Sequence, residues 1–268
     1  GFALFQYFGA EKVTNPETGR NARVALSTDE EATLGLQSFK EIVSSSDLVE
    51  SGPEFELVRR VAERLVQGAG ASTGFDWQVV LIRGEQANAF CLPGGKIAVY
   101  TGILPYTRTE AGLAAVMGHE MAHATARHGS QRLLQTSLAQ TVMVGAQFSF
   151  SELDWDKRRM VIAALGAGAQ YGVLLPFSRA HETEADEMGL LYMARAGYPP
   201  AEAIEFWRRM QETAVRKPPE WMSTHPADET RIRNLQAFLP RAEKEYAAAA
   251  GRHGAQRSND ATLPELER

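Results

Sequence analysis

The spacing of apolar positions changes along this chain, and each change marks a different element. Residues 1–28 show little periodicity and contain Asn15-Pro16-Glu17-Thr18-Gly19, so they read as an extended N-terminal arm. Ser27-Thr28-Asp29-Glu30-Glu31 then supplies the side-chain oxygens a helix start requires, and a helix follows over Ala32 to Val43 until Ser44-Ser45-Ser46 breaks it. Pro53 opens a second amphipathic helix, with Phe55, Val58, Val61, Leu65 and Val66 at helical spacing and a stop near Gly68 and Gly70. Trp77 to Ile82 and Lys96 to Tyr100 are instead β-rich runs, separated by a turn region at Pro93-Gly94-Gly95. After Thr109 the pattern is helical again, with further helices over Ala201 to Ala214 and Pro226 to Leu239. The chain thus divides into an arm (1–28), a main domain (29–240) and a charged, Ala-rich solvated helix with a frayed tail (241–268).

The helix after Thr109 differs from the others. Leu113, Ala114, Ala115, Val116, Met117, Met121, Ala122 and Ala124 make it apolar around most of its circumference, which predicts burial. Thr109-Glu110 can cap its start and Gly129 fits its stop. Within it lie His119, Glu120 and His123, polar groups that need partners in such a setting. At 3.6 residues per turn His119 and His123 share one face, so their ring nitrogens can meet one metal ion. Glu120 is placed to take a proton from an attacking water and return it to a leaving amine, as in metal-dependent peptidases.

A catalytic zinc needs a third protein ligand and an open position. The best donors downstream are Glu182 and Asp186, four apart on one helix face, one to bind metal and the other to accept the second ring N–H of a ligating histidine. Glu184 points elsewhere, His181 faces another direction, His128 is turned away from the ligand face, and His253 lies in the polar tail.

Together these stretches resemble the gluzincin family of HtpX and the CAAX prenyl proteases, in its soluble periplasmic BepA-like branch. The resemblance rests on His119-Glu120-x-x-His123 and, 59 positions after His123, Glu182-x-Glu184-Ala185-Asp186. Asn88 to Ile97, Ala196-Gly197-Tyr198-Pro199 and Ser223-Thr224-His225-Pro226 leading to Arg231-Ile232 belong to the same match, which spans about residues 54 to 238. It implies one zinc per chain, with Glu182 completing the ligand set and Asp186 standing behind it. It also implies a mostly helical α+β, zincin-like fold with a small sheet above the HExxH helix. In such enzymes the edge strand before that helix can receive an extended peptide, a place expected here for Lys96, Ile97, Ala98, Val99 and Tyr100. His225 is brought near the metal, either to stabilise the tetrahedral intermediate or to take the fourth metal position, and Arg231 can stabilise an oxyanion or pair with Asp186 or Glu182.

Composition narrows the function classes. A chain of 268 residues with 44% hydrophobic content can bury a sizeable core, and a net charge of −5 with scattered Lys and Arg offers no basic stripe for nucleic acid. The single cysteine, Cys91, excludes an internal disulfide and reads as a buried structural thiol. Met160 to Phe177 is the longest apolar run, but its glycines and alanines make it a buried or lid helix rather than a span. Gly1-Phe2-Ala3-Leu4-Phe5 has no signal-peptide pattern, so membrane association would come through an anchor upstream of Gly1. The resulting expectation is a zinc endopeptidase of the bacterial cell envelope, periplasmic or lipid-anchored, acting on unfolded or misassembled proteins. The alternative is a chaperone or assembly factor whose zinc site stays closed.

Overall fold

The computed structural model describes residues 9–70, 74–136, 150–168, 176–214, 219–226 and 229–252. Strands β1 (Glu11–Thr14) and β2 (Asn21–Val24) pair antiparallel, so the N-terminal arm, expected to be extended, folds back as a hairpin. Its turn is closed by backbone bonds from Asn15 N–H to Arg20 O and from Gly19 N–H to Asn15 O, both 2.8 Å. Helix α1 (Thr28–Ser44) begins earlier than the apolar pattern implies, because Ser27 and Glu30 form a reciprocal capping box. A short strand β3 (Leu48–Val49) leads to α2 (Pro53–Ala69), which has Pro53 in its first turn and buries Leu57, Val58, Val61 and Leu65.

Strands β4 (Gln78–Ile82), β5 (Ala89–Leu92) and β6 (Lys96–Tyr100) join β3 in one sheet of order β3-β4-β6-β5. Strand β6 pairs parallel with β4 and antiparallel with β5, which corrects the expected edge position of Lys96, Ile97, Ala98, Val99 and Tyr100. The reason is the tight turn at Gly94 and Gly95, both at positive φ, which folds the four-residue run Ala89–Leu92 onto the outer side of β6. With its backbone paired on both sides and all five residues buried, β6 has no ladder to offer a peptide. Among the described residues β3 and β5 are the two edge strands, and the edge beside β6 is that of β5. There Asn88 and Tyr100 share a backbone bond, so the alternation of an antiparallel ladder turns the backbone groups of Ala89 and Cys91 outward.

The sheet divides two cores. Leu81, Ala89, Cys91, Ile97 and Val99 face one, and Ile82, Phe90, Leu92, Ala98 and Tyr100 face the other, as the two-residue period of a strand dictates. Helices α3 (Leu104–Thr107), α4 (Glu110–Thr125) and α5 (His128–Gln135) follow the sheet, and α4 is buried from Glu110 to Ala124. Thr109 caps α4 by accepting from Gly112 N–H at 2.9 Å. Helix α6 (Trp155–Ile162) runs into a kinked segment, Ala163–Ala167, with Gly166 at φ +120°. The expected helix over Met160 to Phe177 is therefore buried but bent in its first part, and 169–175 lie outside the described residues. No helix among the described residues is long and apolar enough to cross a membrane.

Helices α7 (Arg179–Arg195), α8 (Ala201–Ala214), α9 (Trp221–Thr224) and α10 (Glu229–Arg252) complete the fold. Helix α10 runs through Pro240, so the boundary expected there falls inside one element. From 241 onward its described part is a largely exposed helix, which packs on the main core through Tyr246 and buries Ala242 and Ala249. His253 lies outside the described residues.

Candidate active site

Two glycines let the helices that carry the site approach each other. A Cβ on Gly118 would lie 3.2 Å from Gly189 O, and one on Gly189 would lie 3.0 Å from His119 N. Only at such close approach does α7 bring Glu182 and Asp186 against His119 and His123 of α4. Ser178 caps α7 by accepting from His181 N–H at 3.2 Å, which starts the helix in time to aim Glu182 at the histidines.

His119, His123, Glu182 and His225 are all buried, and one donor atom from each lies within 4.8 Å of the others. His123 Nε2 is 3.0 Å from His119 Nε2, and His119 Nε2 is 3.2 Å from His225 Nδ1. Glu182 Oε1 lies 3.0 Å from His225 Nδ1 and 3.3 Å from His123 Nε2. Three ring nitrogens and a carboxylate oxygen thus converge on one point, a donor set suited to zinc. Behind His119, Asp186 Oδ1 stands 3.0 Å from Nδ1, the placement that orients a metal-binding imidazole.

Electrostatics fit a cation at this point. Burial pushes His119 down, yet its hydrogen bonds to the Asp186 and Glu182 carboxylates outweigh it and raise its pKa to about 9. Burial holds His123 well below the usual histidine range, hence neutral with a lone pair to give. Against the upward push of burial, the charges of Arg231 and His225 keep Glu182 well below the carboxylate range. Burial likewise opposes ionisation of Asp186, and Arg231 overcomes it.

Glu120 is buried on the same helix. Its Oε1 accepts from Trp221 Nε1 at 2.5 Å and lies 3.3 Å from His225 Nε2. Arg231 is bidentate to Asp186, with Nε to Oδ2 at 2.8 Å and Nη2 to Oδ1 at 2.6 Å. Its Nη1 meets Glu182 Oε2 at 2.7 Å, and its face lies over Trp207. Of the two roles expected for Arg231, these bonds are the pairing with Asp186 and Glu182, and they commit the guanidinium to holding the two carboxylates.

Residues 53–239 match the model of peptidase family M48. The chain belongs to peptidase family M48. It is 35% identical over 233 residues to the mitochondrial metalloendopeptidase OMA1 of Schizosaccharomyces pombe, covering 85% of this chain and 66% of that protein. It is 30% identical over 271 residues to OMA1 of Saccharomyces cerevisiae, covering 92% and 74%. With the beta-barrel assembly-enhancing protease of Escherichia coli K12 it shares 29% identity over 224 residues, 82% of this chain and 46% of that protein. The chain is accordingly an M48 metalloprotease that spans about two thirds of the first of these relatives and under half of the last.

In this M48 chain several residues around the site lie outside the motifs. His128 was expected to turn away, but Arg127 adopts a left-handed φ of +59° between α4 and α5 and swings His128 back, so that its Nδ1 lies 2.9 Å from His123 Nδ1. The helical wheel of α4 does not extend past that break. Glu184, expected to point elsewhere, is on the far side of His128, with Oε2 at 2.9 Å from its Nε2. Burial raises its pKa, but bonds from His128, Thr18 and Arg20 prevail and set it at about 2. His181 does face away from the donors, stacks on His128 and approaches Gln131 Oε1 at 3.1 Å. Trp221 could have been found from its position four residues before His225. Phe177, stacked on His123 with ring centroids 3.9 Å apart, has no motif to reveal it. Cys91 is buried as expected, and burial pushes its thiol up.

Proposed function

We propose that the chain is a zinc-dependent endopeptidase whose substrates are unfolded or misassembled proteins of the bacterial cell envelope, and that the arrangement described is its closed state. The observation that carries the reading is the buried convergence of His119, His123 and Glu182 with Glu120 on the adjacent position of the same helix. Zinc held there would supply a Lewis acid, polarising a carbonyl and lowering the pKa of water to about 7. Glu120 takes the proton of the attacking water and delivers it to the leaving nitrogen. Asp186 and Arg231 fix the orientation of His119 and Glu182 while this happens.

His225 favours the closed reading. Its Nδ1 lies among the donors and its Nε2 lies beside Glu120, so one ring covers both the fourth metal position and the base. Backbone bonds from Trp221 N–H to Ala87 O (3.0 Å) and from Phe177 N–H to Thr224 O (3.3 Å) hold the covering segment in place. The first of these lies next to β5, whose outward backbone groups are the place for an extended substrate once β6 is excluded. Substrate entry then displaces the Trp221–His225 segment. The names of the barrel-assembly relatives support an envelope substrate.

The test is digestion of an unfolded protein such as casein by the purified chain, with and without a chelator. Cleavage that stops on chelation and returns with added zinc supports the reading. A client-binding protein with no cleavage under any zinc condition would favour an assembly factor instead.

A further inference from the structure

A hydrogen-bond chain runs from His123 out to the N-terminal hairpin. His123 turns Nε2 toward the other donors and Nδ1 toward His128 Nδ1, while His128 Nε2 meets Glu184. With a metal on His123 Nε2, one proton arrangement satisfies both contacts. His123 carries its proton on Nδ1 and donates it to His128, and His128 carries its own on Nε2 and donates it to the carboxylate. His128 is fully buried.

Glu184 is held in turn by three side chains of the hairpin turn. Asn15 Nδ2 (2.8 Å) and Thr18 Oγ1 (2.5 Å) donate to Oε1, and Arg20 Nε donates to Oε2. The hairpin has other anchors that do not touch Glu184: Arg195 pairs with Glu17 at 2.5 Å, Arg241 donates to Glu17 O at 3.2 Å, and Arg127 pairs with Glu11 at 3.8 Å. Three donors from one turn on a single buried carboxylate exceed what docking requires, and the far end of that carboxylate leads to a metal ligand.

We propose that the turn Asn15–Arg20 positions the metal site: by fixing Glu184 it holds His128, and through His128 the His123 ring, in the orientation that binds zinc. This rests on the reading that His119, His123 and Glu182 hold the metal. Zinc affinity is thereby tied to docking of a hairpin remote from the HExxH helix in sequence, and undocking loosens a ligand without unfolding the core. Arg20, with its side chain 30% exposed, is the outermost link and the one a variant can remove most gently.

The experiment follows zinc release to a competing chelator in the wild-type chain, a Thr18→Ala/Arg20→Ala variant, a His128→Phe variant and their combination. The hairpin variant and His128→Phe should each release zinc about 10-fold faster, the scale of losing a partner behind a ligand. The metal-free hairpin variant loses bonds to a buried carboxylate and should unfold at a lower denaturant midpoint, so release is compared without denaturant, where far-ultraviolet circular dichroism shows every variant fully folded. Because both changes cut one chain, the combination should be no faster than His128→Phe alone. Unchanged release in the hairpin variant, or multiplied effects of about 100-fold in the combination, would overturn the proposal. Ring nitrogen resonances of the wild-type zinc protein give a readout that needs no variant: His128 should be neutral with its proton on Nε2, and a proton on Nδ1 overturns the relay. A wild-type chain that bound no zinc would overturn the metal reading and the relay together, whereas a zinc-binding chain with multiplied effects would overturn the relay alone.

Discussion

Gly189 of α7 lies against the backbone of His119 on α4, where a Cβ would stand 3.0 Å from His119 N and 3.1 Å from its Cα. The contact sets how closely the Glu182 helix approaches the histidine helix. Gly189→Ala gains about 1 kcal/mol of helix propensity but must force the two backbones apart by a few tenths of an ångström, an overpacking cost of about 1–3 kcal/mol. The expected outcome is a folded protein, no more stable than wild type, with weakened zinc binding. Chelator competition and denaturant unfolding on the same samples check it, and wild-type zinc affinity would show that the helices tolerate the extra carbon.

The ligand helix was legible because HExxH depends only on spacing within one element, and Glu182 and Asp186 because they repeat that spacing on a second. What joins the two was not. The Gly118–Gly189 approach is a tertiary contact across distant positions, and neither glycine has a local signature. His128 escapes helical spacing because one left-handed residue, Arg127, ends the helix to which that spacing applies. Strand β6 was misplaced because edge position depends on which strand returns beside it, and the short run Ala89–Leu92 does so after two glycines. The hairpin's part in the site was invisible for the same reason: Asn15, Thr18 and Arg20 reach Glu184 across most of the chain.

His225 provides the second prediction. Its ring approaches the ligand atoms on one side and Glu120 on the other, so His225→Ala should raise basal cleavage of an unfolded substrate at equal zinc occupancy. A residue that instead stabilises the transition state would, when removed, cost about 2.7–4 kcal/mol of barrier, by analogy with loss of one oxyanion donor. A large fall in turnover therefore refutes the latch.

Away from the metal, Glu31 of α1 links stability to pH. Burial raises its pKa to about 7 despite Arg127, which donates to it at 2.5 Å; Ser130 and Glu11 are the other groups that act on it. A folded-state pKa raised above the unfolded value of 4.5 gives stability that is full below about pH 4.5 and is lost as pH rises through about 7. Between pH 5 and pH 8 the wild type should therefore lose more stability than Glu31→Gln. Urea midpoints of both proteins at the two pH values test this, and parallel changes would mean that Arg127 keeps Glu31 ionised throughout.

Within the acidic run, the assignment of Glu182 separates from that of Glu184. Glu182→Ala removes a donor and should abolish tight zinc binding, whereas Glu184→Ala should weaken it by about 10-fold, the effect of a partner behind a ligand. Metal content after dialysis against weak chelator reports the difference. The reverse order would reassign the third ligand.

The central claim is a division of labour on one helix, with His119 and His123 holding metal and Glu120 moving the proton. It is tested most directly by measuring zinc content and cleavage of an unfolded protein side by side in wild type and Glu120→Gln. The account predicts one zinc per chain in both and cleavage in the wild type alone. A zinc-loaded Glu120→Gln protein that cleaves at the wild-type rate would contradict it.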